Sequence, residues 1–300
     1  MDKDQLRQIA MTAGLSSKPI IPLSDDALEP QSTAPSFYCV HPISGAGATY
    51  YIDLALEIGQ GVRFFGIQAP ATLMKNADYK DLLQSIASHY ADAIQKFQPN
   101  GQIHVGGYSA GTLVALETAR QLKAKGREVS TLFIFDGAPK NARYSGSRLV
   151  YFAKVLWNLP GALLNDDFAQ IATEFLFKIR NLGGKKESPQ TNQDDGHPVQ
   201  GFIPNFSQYP GYRQAFMVGL YEAIEKTAFL PYDGAVVVYK ARIKPILLSG
   251  VQEFWTSIAQ HCEVVEVRAT HFNMMMSPQV VPLAADLKQR LTGKVPPRPR

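Results

Sequence analysis

Ile103-His104-Val105-Gly106-Gly107-Tyr108-Ser109-Ala110-Gly111-Thr112-Leu113-Val114-Ala115 is the stretch that decides the fold. An apolar, β-prone run enters Gly107-Tyr108-Ser109-Ala110-Gly111, a G-x-S-x-G pattern, and helical apolar spacing from Thr112 to Lys125 leaves it. In a strand, turn, helix context this pattern forms a nucleophile elbow. The serine sits on a strained turn, and the flanking glycines let neighbouring backbone pass without a Cβ clash. Its Oγ is thereby exposed at the start of a helix, where free N–H groups and the helix dipole favour negative charge.

The pattern on either side is regular from Ser36 onward. Phe37 to His41 reads as a strand, Pro42-Ile43-Ser44-Gly45-Ala46-Gly47 as a small-residue loop, and Tyr50 to Ile58 as a helix. Arg63 to Gln68 and Val129 to Phe135 are further strands, the second closing on Asp136-Gly137-Ala138-Pro139, and Tyr79 to Phe97 carries helical apolar spacing. Alternation of this kind predicts an α/β fold with a mostly parallel sheet covered by helices on both faces.

The alternation stops near Lys140 and resumes at Ala235. Within that insertion, Arg148 to Leu159, Asp167 to Leu182 and Tyr212 to Thr227 show helical spacing, and Gly183 to Gly201 is a polar, turn-rich stretch expected to be mobile. A helical insertion at this point predicts a lid, spanning about residues 140–230, over the carboxyl edge of the sheet. Strands at Ala235 to Ala241 and Glu263 to Arg268, a helix around Glu253 to Gln260, and a final helix from Pro278 to Leu291 complete the domain, which spans 36–291. Residues 1–35 combine a helical pattern, Asp4 to Ala13, with a Pro/Ser-rich stretch, and read as an N-terminal arm or interdomain linker; 292–300 form a basic, Pro-rich tail.

The 30 Lys+Arg against 26 Asp+Glu give a net charge of +4, spread along the chain apart from the tail, which does not argue for nucleic acid. The N-terminal residues are polar and no run of about 18 apolar residues occurs, so neither a signal peptide nor a membrane span is expected. The two cysteines, Cys39 and Cys262, fall in apolar strands and read as unpaired thiols of a reducing, cytoplasmic compartment.

A serine hydroxyl needs a base within hydrogen-bond reach and an acid to orient that base. Ser109, Asp136 and His271 follow the order Ser, acid, His used by α/β-hydrolases, each directly after a predicted strand, and strand carboxyl ends meet along one edge of a parallel sheet. The commoner acid position, after the strand that follows the insertion, reads Tyr239-Lys240-Ala241-Arg242 and offers no carboxylate; Asp233 and Glu253 are weaker alternatives. Among the other histidines, His104 lies inside the elbow strand, His89 in a helix, His197 in the polar stretch and His261 at the wrong end of its strand. His41 borders the active edge but precedes the elbow. Two N–H donors are needed for the oxyanion; Ala110, after the serine, and Ile43, in the loop after His41, are the best placed. Neither a metal nor a bound cofactor is implied.

His-Pro-Ile-Ser-Gly-Ala-Gly at 41–47, Gly-Gly-Tyr-Ser-Ala-Gly at 106–111, Phe-Asp-Gly-Ala-Pro at 135–139 and Ala-Thr-His-Phe at 269–272 resemble the type I thioesterase domains that terminate nonribosomal peptide and polyketide synthases. They are also similar to the related fatty-acid synthase thioesterases. The acid stands twenty-seven residues after the serine, the placement this family uses. The resemblance covers about residues 36–291 and implies an α/β-hydrolase fold with a lid. It also implies that Ser109 accepts an acyl or peptidyl chain from the 4'-phosphopantetheine of a carrier protein domain, upstream in the same synthase. His271 and Asp136 would then activate water or an internal nucleophile for release. A free-ester lipase or esterase, or an inactive hydrolase fold that only binds, are the competing readings. Where many members are richer in glycine, this loop reads Ile-Ser-Gly-Ala-Gly.

Overall fold

The computed structural model describes residues 1–13, 17–78, 80–139, 197–201, 203, 205–243 and 250–293. Its centre is a seven-stranded sheet: β1 (Ile20–Pro22), β2 (Ser36–Val40), β3 (Arg63–Ile67), β4 (Ile103–Tyr108), β5 (Val129–Phe135), β6 (Tyr232–Ile243) and β7 (Ala259–Thr270). The spatial order is β1-β3-β2-β4-β5-β6-β7. Every pairing is parallel except that of β1, which runs antiparallel to β3 with Ile21 opposite Gly66. β4, the elbow strand, therefore lies at the centre of the sheet.

Alternate residues of the strands feed two separate cores, as a sheet buried on both faces requires. On one face Tyr38, Val40, Phe65, Leu132, Ile134, Val236 and Val238 pack under the helices Leu82–Phe97, Gly111–Ala124, Gly211–Lys226 and Val251–Ile258. Phe37, Phe64, Phe133, Phe135, Val237 and Tyr239 face the other way, against the helices Ile52–Ile58 and Val280–Leu291. The last of these helices is tied to the sheet by Arg290, whose guanidinium donates to both oxygens of Glu263 at 2.8 Å and to Asp286 at 2.6 Å, while the Tyr239 hydroxyl also donates to Asp286.

The elements follow the sequence expectation within a few residues, with additions, among them the edge strand β1 and the short helices Asp25–Leu28 and Ala71–Lys75. In the stretch read as an arm or linker, Lys3–Ala13 is helical, Ile20–Pro22 forms the edge strand, and Leu6, Ile21 and Leu23 are buried in the second core. A three-residue strand preceded by Pro19 and ending on Pro22 carries no period to read, and proline is tolerated at such an edge. Of the insertion, the expected helix at Tyr212 to Thr227 is present as Gly211–Lys226. The helices expected at 148–159 and 167–182, most of the polar stretch and most of the basic tail lie outside the described residues. Both cysteines are free, and no helix among the described residues is long and apolar enough to cross a membrane.

Two histidines are held neutral inside this fold. Burial pushes His41 and His104 down to about 4 from the ordinary 6.5. The unfolded chain therefore binds more protons than the folded one between about pH 4 and 6.5, so stability is fully present above that window and falls as the pH drops through it. Melting temperature measured over this range should decline with acidification. His104→Met, which removes one of the two titrating groups, should flatten the decline; among the described residues His104 Nδ1 has no hydrogen-bond partner to lose.

Candidate active site

The loop after β4 turns with Ser109 in the left-handed region, φ 57°, before the helix Gly111–Ala124 begins. Three glycines permit this turn. A Cβ on Gly107 would collide with the Gly111 carbonyl, one on Gly111 with the His41 and Val40 carbonyls, and one on Gly137 with the Ser109 carbonyl. The turn is closed by Ser109 N–H donating to the Phe135 carbonyl at 3.0 Å and by the Thr112 hydroxyl donating to the Ser109 carbonyl at 2.7 Å.

Asp136 follows β5, also with a left-handed φ of 51°, and is wholly buried. Its N–H donates to the Tyr239 carbonyl, and its Oδ1 accepts from the Ala241 N–H at 2.9 Å, so the end of β6 holds both backbone and carboxyl. Oδ2 lies 3.1 Å from His271 Nδ1, and His271 Nε2 lies 3.0 Å from Ser109 Oγ. A carboxylate can only accept, which puts the imidazole proton on Nδ1 and leaves Nε2 to accept from the serine hydroxyl. Ser109, His271 and Asp136 thus form one continuous hydrogen-bonded line across the carboxyl edge of the sheet.

His271 is itself framed. The Tyr108 hydroxyl donates to its carbonyl, the Tyr108 ring stacks on the imidazole at 5.1 Å, and Asn273 Oδ1 accepts from the Thr270 N–H in the turn that carries it. On the far side of Asp136, Trp255 Nε1–H donates to the Gly137 carbonyl at 2.6 Å. Sequence reasoning missed both aromatics. Tyr108 stood in plain view one residue before the serine, whereas Trp255 offered nothing beyond an apolar helix position.

The alternative residues lie elsewhere. Asp233 is exposed and paired with Lys123; His261 is exposed; His89 is exposed on a helix. His41 is wholly buried with both ring nitrogens engaged, Nδ1 2.6 Å from the Pro42 carbonyl and Nε2 2.6 Å from the Tyr90 hydroxyl. Because the His41 carbonyl abuts Gly111, the loop carrying Ile43 lies against the start of the elbow helix that Ala110 precedes. Ile43 also touches the described part of the insertion, packing with the buried cluster Val199, Phe206 and Met217, and Phe216 covers Gly45 and the His41 ring. Of the aromatics that could line a pocket there, Phe206 and Tyr212 pack inward, while Phe152, Trp157, Phe175 and Phe202 lie outside the described residues.

Comparison with known proteins agrees with this architecture. The thioesterase domain family model matches residues 35–215. The dimodular nonribosomal peptide synthase of Bacillus subtilis is 33% identical over 119 residues, 39% of this chain and 5% of that protein. The bikaverin polyketide synthase of Gibberella fujikuroi is 37% identical over 93 residues, 31% of this chain and 4% of that protein. The chain thus spans about a twentieth of the length of these synthases. Among solved structures, the NocB thioesterase domain of the nocardicin cluster superposes with a TM-score of 0.56 at 20% identity, covering 88% of this chain and 96% of its own. The fold is that of α/β-hydrolase thioesterases, and the chain belongs to the thioesterase domain family.

Proposed function

We propose that this chain is a serine thioesterase that releases an acyl, polyketide or peptidyl chain from a phosphopantetheinyl carrier protein, by hydrolysis or cyclisation, through an acyl-Ser109 intermediate. The observation that carries the reading is the line Asp136 Oδ2, His271, Ser109 Oγ, with spacings of 3.1 and 3.0 Å, in a chain of the thioesterase family. The carrier would be a domain upstream in the same synthase and residues 140–230 the lid, while 1–35 forms an N-terminal arm whose helix and edge strand pack onto this domain. The substrate's pantetheine arm belongs to that partner, and the enzyme needs no cofactor of its own.

The chemistry follows from the geometry. His271 Nε2 takes the Ser109 proton as Oγ attacks the thioester carbonyl, and Asp136 holds the resulting imidazolium. The Ala110 and Ile43 N–H groups receive the oxyanion. Collapse breaks the C–S bond, and the departing pantetheine thiolate takes the proton from His271. Water, or a hydroxyl or amine of the chain itself, then loses a proton to His271 and attacks the acyl-serine. Collapse of the second tetrahedral intermediate returns that proton to Ser109 Oγ.

Ser109→Ala should lower the turnover of an acyl-pantetheine substrate by about 10³-fold or more, as measured by thiol release; wild-type rates in that variant would end the proposal. On matched thioester and oxygen-ester substrates the wild-type chain should favour the thioester, and a strong preference for the ester would mark a lipase or esterase instead. A fluorophosphonate probe should label Ser109 stoichiometrically, an outcome that a fold which only binds would not give.

A further inference from the structure

We propose that His41 and Tyr90 are a positioning pair: acting through the Pro42 carbonyl, they aim the Ile43 N–H at the oxyanion formed on Ser109. The inference rests on the reading of Ile43 as an oxyanion donor given above.

The Pro42 carbonyl and the Ile43 N–H belong to one peptide unit, which is trans, so they point in opposite directions and fixing one fixes the other. Two donors fix the carbonyl. Gly45 N–H reaches it at 3.0 Å, closing a tight turn over Pro42–Gly45, and His41 Nδ1 lies 2.6 Å away. Among the described residues the Ile43 N–H itself meets no acceptor. It is therefore directed only by what grips the other end of its peptide.

The grip depends on the proton of His41 being on the correct nitrogen. A carbonyl accepts and cannot donate, so Nδ1 must carry a proton; burial keeps the ring neutral, so Nε2 carries none. The Tyr90 hydroxyl, 2.6 Å from Nε2, supplies the donor that this tautomer requires. Tyr90 stands on the helix Leu82–Phe97, fully buried, and Phe216 of the helix Gly211–Lys226 lies over the imidazole at 6.1 Å. The ring is thus fixed by a rigid helix on one side and by the insertion on another. Were packing alone required, an apolar residue would fill the same volume with no polar atoms to satisfy. With the grip released, rotation of the peptide would bring the Pro42 oxygen toward the developing negative charge in place of the N–H.

The full chain with His41→Leu, His41→Asn, Tyr90→Phe or Ile43→Pro tests this by three readouts: the rate of fluorophosphonate labelling of Ser109, kcat and KM on an acyl-pantetheine thioester, and melting temperature. Since losing one oxyanion donor costs about 10²–10³-fold, His41→Leu should lower labelling and kcat by about 10- to 100-fold with KM little changed. His41→Asn, whose amide can donate to Pro42 as Nδ1 does, should recover most of the loss, and Tyr90→Phe should fall between the two. A merely structural role would lower the melting temperature and the fraction of protein labelled, yet leave the rate per folded site untouched. If Ile43→Pro slows labelling at least as much as expected while His41→Leu or Tyr90→Phe labels at the wild-type rate, the pair has no positioning role and the Ile43 reading stands. If Ile43→Pro labels at the wild-type rate, the donor assignment falls and takes the pair's role with it. Should His41→Leu fail to fold, Tyr90→Phe and His41→Asn decide, and wild-type labelling in Tyr90→Phe overturns the proposal. Labelling needs no knowledge of the natural substrate, so a chain that labels well but ignores the thioester would refute the thioesterase reading alone.

Discussion

Backbone touching backbone, with no side chain between, is the constraint on which the rest of this structure depends. Segments following β2, β4 and β5 converge where Gly107, Gly111 and Gly137 leave no room for a Cβ. That convergence forces Ser109 and Asp136 into left-handed backbone, at a cost on the order of 1–3 kcal/mol each. The surrounding sheet offsets it: Phe37, Phe133, Phe135 and Tyr239 lie beneath the turn, wholly buried and in ring-to-ring contact. The strained turn thus sits on a fully buried aromatic cluster, and the serine hydroxyl gains its direction from the same packing.

Asp136 shows how the edge of the sheet shares its duties. Hydrolases of this fold more often carry the carboxylate after the strand corresponding to β6, where this sequence has Tyr239-Lys240-Ala241-Arg242. In the structure that strand end supplies backbone groups instead: the Tyr239 carbonyl accepts from Asp136 N–H and the Ala241 N–H donates to Asp136 Oδ1. A carboxylate at the end of β5 is thereby held by its neighbour, with Oδ2 turned toward His271.

Much of this was legible because it is encoded locally. Strand and helix periods placed six of the seven strands, and Ser109, Asp136 and His271, each at a strand end in the sequence pattern, meet in one hydrogen-bonded line. What the sequence concealed is decided by long-range partners. β1 exists because β3 offers an edge, and Ile20-Ile21-Pro22 alone reads as linker. Trp255 meets Gly137 across more than a hundred residues of chain, and Tyr90 meets His41 across forty-nine. His41 looked like a rival base because it borders the active edge. Its two buried hydrogen bonds, invisible in the sequence, give it other work.

Because β5 and β6 are paired in parallel register, Leu132 beside Val236 and Phe135 beside Tyr239, the chain leaves the sheet after Asp136 and re-enters it on the adjacent strand. The two ends of the intervening segment are anchored by a pairing that neither depends on its length nor transmits its shape. Lengthening such a loop twofold costs only about 0.6 kcal/mol in closure entropy. Length can therefore be added between those two ends at little cost, whereas the residues of the segment that enter the core, Phe216, Leu220 and Ile224 among them, stay tied to the packing of the sheet.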